Sequence, residues 1–203
     1  MIDLEALHPL LVIIHLLGVA VGAGAGFMVD VLFFSSLRTR QITAEKVKTI
    51  ALGSRLVWLG IFLILVSGLL LVLSGPGILR SPKFLAKMTI VGILIANGTV
   101  FHFVHYPALL KNYKNFFSSS QEFLNASRGL FISGAISAPS WIAALTLGVL
   151  SRLPYSYWFY MGIYAAVIAG GILSSLILRG YLASKLPSSQ PAKLKSAVLN
   201  GAR

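Results

Sequence analysis

The chain contains no cysteine. Disulfides, zinc–thiolate sites, iron–sulfur clusters and thiol catalysis are thereby excluded. Charge is scarce as well. Only 11% of the 203 residues are charged, where a soluble domain carries about a quarter. No Lys/Arg run flanked by stacking aromatics is present, so the net charge of +12 does not point to a nucleic-acid partner. A basic leader is missing too: the start "MIDLEALHPLLVIIHLLG" carries Asp3 and Glu5 instead. Its apolar stretch continues past the small residues at 22–26, so it reads as a retained helix rather than a signal peptide. Nucleophile–base motifs, phosphate loops and paired carboxylates are absent, which leaves hydrolase or kinase activity without support.

What the sequence has is hydrophobicity, 57% of its residues. Five runs are long enough to cross a hydrocarbon core, which takes about 20 helical residues. They cover residues 8–36, 55–75, 84–106, 129–150 and 156–182. The runs are continuous and lack period-2 alternation, so helices are expected rather than barrel strands. The expected fold is all-α: a polytopic bundle of five transmembrane helices over residues 1–182, its partner the lipid bilayer. A polar, basic tail over 183–203 is expected to be disordered.

Basic residues set the orientation. Thirteen lie on one side: Arg38, Arg40, Lys46, Lys48 and Arg55; Lys111, Lys114 and Arg128; Arg179, Lys185, Lys193, Lys195 and Arg203. Four lie on the other: Arg80, Lys83, Lys87 and Arg152. This imbalance predicts an outside N-terminus and a cytoplasmic C-terminus in a bacterial inner membrane. Thr43 is placed to cap a helix that starts near residue 44, ahead of the second span. Ser81 and Pro82 suit the start of the third. Lys83 and Lys87 are expected to snorkel to the outer headgroups. Tyr155, Tyr157, Trp158 and Tyr160 are expected to form an interfacial belt.

The chemistry lies in the polar residues inside the spans. At about 100° per residue, His8, His15, Gly22 and Gly26 share one stripe of the first span, with Gly18 and Asp30 at its edges. Such a stripe is either a close helix–helix seam or a glycine wall against a flat cofactor. The third span ends "NGTVFHFVHYP", which places His102 and His105 on one face, Asn97 beside them, and Pro107 at a kink or end. A histidine pair at this spacing offers a metal or haem ligand; otherwise the two are interfacial and bonded to backbone or water. Depth puts Asp30 about 33 Å along its span, level with His102 and His105, and puts His15 about 10 Å along, near the other end. Asp30 then pairs with Arg55 or Arg128, or handles a proton or a divalent metal together with His102 and His105, or snorkels to the interface if the first span ends sooner. In the fourth span, "SGAISAPSW" supplies Ser133, Ser137 and Ser140 around a helix-breaking Pro139. Gly170–Gly171 and Ser174–Ser175 of the fifth read as a second packing seam.

The segments "LHPLLVIIHLLGVAVGAG" and "SPKFLAKMTIVGILIANG" resemble, in layout, the copper-resistance D-type and J-type protoporphyrinogen oxidase membrane families over the first three spans. "GAGAGFMVD" and "ANGTVFH" look like the marks of a small bacterial integral-membrane family. The oxidase resemblance implies haem ligation by one histidine in each of two spans, here His15 and His102. The sequence departs from that pattern: "FHFVHYP" lies further along its span, and the Trp-rich glycine motif after the first histidine is missing. The leading expectation is a redox-type membrane protein holding haem or a metal through histidine. The alternative is a small transport or proton-coupled subunit, or an assembly partner that joins a membrane protein or a second copy through its glycine faces.

Overall fold

The computed structural model describes residues 6–74, 79, 81–150 and 154–187. The tail from 188 onward, Arg80 and Arg152, used in the orientation argument, lie outside the described residues, as do Asp3 and Glu5. The main helices are α1 (His8–Thr39), α2 (Ala44–Ser74), α3 (Pro82–Val100), α4 (Tyr106–Asn112), α5 (Ser120–Val149) and α6 (Tyr157–Ser184). Among the described residues there is no strand. Five helical stretches are long and apolar enough to cross a membrane, the makeup of a multi-pass membrane protein; α3 and α4 count as one, running Pro82–Asn115. At 1.5 Å per residue the 32 residues of α1 reach about 48 Å, well beyond a hydrocarbon core of about 30 Å. The helix ends therefore project past the apolar layer.

Local chemistry accounts for the boundaries. Arg40 closes α1 in the left-handed conformation (φ 52°), and the Gln41 amide returns to the Ser36 carbonyl at 3.2 Å. The Thr43 hydroxyl accepts from the Lys46 amide at 3.2 Å, and α2 starts at Ala44 as expected. Helix α5 begins at Ser120, nine residues before the apolar run does. Ser119 caps it by accepting from the Glu122 amide at 3.2 Å. Between α3 and α4 the chain widens into a π-helical turn, Phe101–His105, in which the Tyr106 amide donates to Phe101, five residues back. Pro107 explains this turn. It has no amide hydrogen and its ring crowds the carbonyl four residues upstream; a wider turn relieves the crowding without ending the helix.

Packing divides into three apolar clusters. One, at the Thr39 end of α1, gathers Leu37, Ile50, Leu109, Phe116, Phe123 and Phe131, with Phe33 set edge-on against Phe131 at 5.5 Å. The middle cluster holds Ala23, Ile61, Ile64, Leu94 and Trp141. The third, at the other end, holds Ala86, Ile90, Leu147, Tyr160 and Tyr164. Helices α1 and α2 meet along glycines: a Cβ built on Gly18 would lie 2.8 Å from Leu63 Cβ and 3.1 Å from the Gly60 carbonyl.

Helix α6 is the outer member. Its Ile163, Val167, Leu173 and Ile177 are exposed, as suits lipid contact. Arg179 pins it to α5, donating to Ser127 Oγ at 3.1 Å and to the Leu124 carbonyl. Of its small residues, Gly171 closes on the Ala135 carbonyl while Gly170 faces open space. Only part of the expected aromatic belt faces outward. Tyr155 and Trp158 are exposed, Tyr160 is buried, and the Tyr157 hydroxyl meets Thr89 Oγ1 at 3.2 Å.

Candidate intramembrane polar site

The stripe on α1 builds the site. Gly22 and Gly26 leave a groove, and the indole of Trp141 from α5 fills it: a Cβ on Gly22 would come 2.6 Å from the ring, and one on Gly26 3.0 Å from Nε1. The glycine wall does face a flat group, and that group belongs to the protein. One turn beyond Gly26, Asp30 faces a cavity of about 70 Å³ between α1, α2, α3 and α5. Ser54, Asn97, Ser133, Ser137 and Trp141 also line it. One water needs roughly 10–15 Å³ of such space, so the cavity has room for several waters or a small polar ligand.

Two atoms here carry the chemistry. Asp30 Oδ2 and Trp141 Nε1 are both buried, and neither has a hydrogen-bond partner. One is an acceptor or, when protonated, a donor; the other is a donor only. Burying such groups unpaired costs about 1–3 kcal/mol each, and more for a charge. Native proteins rarely leave them so unless something else satisfies them. Gly134 of α5 faces the carboxylate: a Cβ there would stand 3.5 Å from Oδ1, in ordinary contact. Asn97 is fixed by donating to the Ser133 carbonyl at 3.0 Å. Ser54, on the same wall, contacts His102 Nδ1 at 3.3 Å.

A second cavity, of about 340 Å³, lies beyond Trp141 toward the His8 end. His15 and Lys87 are its titratable groups, and its remaining walls are almost wholly apolar. Trp141 and Leu94 line both cavities, and so separate them. The Ser67 hydroxyl donates to the Leu63 carbonyl at 2.5 Å and contacts His15 Nδ1 at 3.0 Å. A serine has one proton to give, so His15 is the donor in that pair.

The other site residues expected from sequence separate. His102 turns toward α2, while the His105 ring lies against Gly129 of α5. The π-turn is the reason: its wider winding takes residues three apart off a common face. Asp30, His102 and His105 form no ligand set, and no group of three His, Cys, Asp or Glu side chains suited to a metal occurs among the described residues. His15 and His102 do not fit one haem either. Their partners Ser67 and Ser54 are thirteen residues apart on α2, about 20 Å along the helix. Asp30 makes no ion pair among the described residues. Arg55 and Arg128 are exposed, with Arg128 and His105 bordering an open groove between α3 and α5. Lys87 lines the second cavity.

Sequence reasoning did not single out Trp141, Ser54 or Ser67. A lone tryptophan after Pro139 has no periodic partner, and only the glycine stripe on α1 hinted that a flat group would lie there. No family model, curated protein or solved structure matches the chain.

Proposed function

We propose that the chain is a small proton-coupled transport protein of the bacterial inner membrane, with its N-terminus outside and Asp30 as its proton-carrying group. The single observation behind this is the buried, unpartnered Oδ2 of Asp30, facing a largely apolar cavity that Ser54, Asn97, Ser133 and Ser137 also line. A carboxylate inside a transmembrane helix is expensive, and the retained ones mark ion pathways and proton relays. Here the usual structural excuse, an arginine partner, is missing among the described residues. Protonated, Asp30 offers a donor to whatever occupies the cavity. Ionised, it attracts a proton or a cation from the side that is open. Trp141 and Leu94 stand between this cavity and the His15 cavity, a division that alternating access would use. Gly18, Gly22, Gly26 and Gly60 are consumed inside the fold, which leaves assembly through the α1 stripe without a free face.

The test is proton entry into proteoliposomes. Vesicles loaded with a pH-sensitive dye, under a potassium diffusion potential, should acidify faster with the protein than without it. Asp30→Asn should return the rate to that of empty vesicles while eluting normally by size exclusion, and Asp30→Glu should keep part of it. Wild-type vesicles no faster than empty ones, or an unaffected Asp30→Asn, would overturn the proposal.

A further inference from the structure

We infer that the His15 cavity is a binding site for an amphiphilic anion, a carboxylate or phosphate head on an apolar tail, with Lys87 as its counter-charge. Lys87 lies on α3 inside a membrane-spanning stretch and lines this cavity. It makes no hydrogen bond or ion pair among the described residues. The described acids are remote from it: Asp30 borders the other cavity, beyond Trp141, while Glu45 and Glu122 stand at the opposite ends of α2 and α5. One compensating feature is present. A Cβ on Gly148 would lie 4.0 Å from Lys87 Nζ, so the ammonium sits by the last turn of α5. A helix C-terminus carries about half a negative charge. Lys83 already donates to the Leu150 carbonyl there, so two ammonium groups share that half charge. The local balance stays positive, in a place where uncompensated charge is costly.

The walls define the rest of the ligand. Val12, Leu16, Val72, Phe84 and Val149 line the same cavity with hydrocarbon. A small hydrophilic anion would gain a counter-ion and lose its hydration against these walls. An amphiphile gains the ion pair and buries its first methylenes, each worth about 0.8 kcal/mol. His15, held by Ser67, is the other titratable group on these walls.

Trp141 lines this cavity, which makes its fluorescence the readout. With Trp58→Phe and Trp158→Phe it becomes the only tryptophan of the three. In phosphatidylcholine nanodiscs, 11-bromoundecanoate should quench it saturably and 11-bromoundecanol much less. Lys87→Gln should weaken binding of the acid about tenfold, the worth of one charged hydrogen bond, and erase the preference over the alcohol. A second arm compares nanodiscs of chain-brominated phosphatidylglycerol with chain-brominated phosphatidylcholine. Preferential quenching by the free acid identifies a soluble amphiphile as the occupant; preferential quenching by phosphatidylglycerol identifies a lipid headgroup. Equal quenching by charged and neutral probes in both arms, or a preference that survives Lys87→Gln, would overturn the site. The readout is binding, so it stands or falls separately from proton transport through Asp30.

Discussion

Gly60→Val should yield no folded protein: extracted in mild detergent, it should give no monodisperse peak, while Gly24→Ala should elute and melt like the wild type. The reason is the crossing of α1 and α2. A Cβ at Gly60 would fall on the main chain of Gly22, against its Cα and N, and 2.7 Å from the Gly18 carbonyl oxygen. No side-chain rotamer relieves a collision with backbone, so the helices would have to part. Overpacking a core ordinarily costs about 1–3 kcal/mol. In lipid the seam is held mainly by close van der Waals packing, and parting the helices forfeits it. The expected loss exceeds about 3 kcal/mol. Gly24 is the control because it lies on α1 two residues from Gly22, yet nothing stands within 4 Å of a Cβ there. Alanine at that position should be neutral, or stabilising by up to about 1 kcal/mol through helix propensity. A Gly60→Val protein with wild-type elution and melting would mean that α1 and α2 do not cross where the glycines place them.

The spans were legible because bilayer thickness imposes a length that apolar runs display directly. The start of α2 was legible because Thr43 carries a recognisable cap. The early start of α5 is not visible in the apolar runs, since Gln121, Glu122, Asn125 and Arg128 interrupt residues 120–128; yet Ser119 and Glu122 are a capping pair of the kind that marks such starts. The π-turn needed an i to i+5 hydrogen bond, which no sequence period announces, and it alone undoes the common face of His102 and His105. At the site, helical depth separated Asp30 from His15, and the two line different cavities. What it could not supply was azimuth between helices. Arg55 follows Ser54, so one side chain faces the cavity while the next points outward. The indole that fills the α1 groove comes from a distant helix, and pairing across that distance leaves no local trace.

Trp141→Ala should produce the largest functional lesion, by joining two compartments that the wild type keeps apart. Trp141 is 2% exposed and packs on Gly22 and Gly26. Truncating a buried tryptophan costs about 3–5 kcal/mol where the site cannot collapse, and this groove is walled by helix backbone that holds its position. A lower melting temperature is therefore expected, together with a continuous space from the His15 cavity to Asp30. The absence of native cysteine makes that space measurable. Ser137→Cys places a lone thiol on the wall of the Asp30 cavity. In sealed vesicles, a membrane-impermeant thiosulfonate added on the His8 side should leave this thiol unmodified when Trp141 is present. It should modify the thiol in the Trp141→Ala background. Trp141→Phe separates the two roles of the indole. It keeps most of the ring volume and should keep the thiol protected, but it removes the unpartnered Nε1–H of a residue that lines the same cavity as Asp30. Proton entry through the Phe variant should then change while its barrier to the reagent does not. A Trp141→Ala protein whose thiol stays protected from the His8 side would show that the indole is not what divides the cavities.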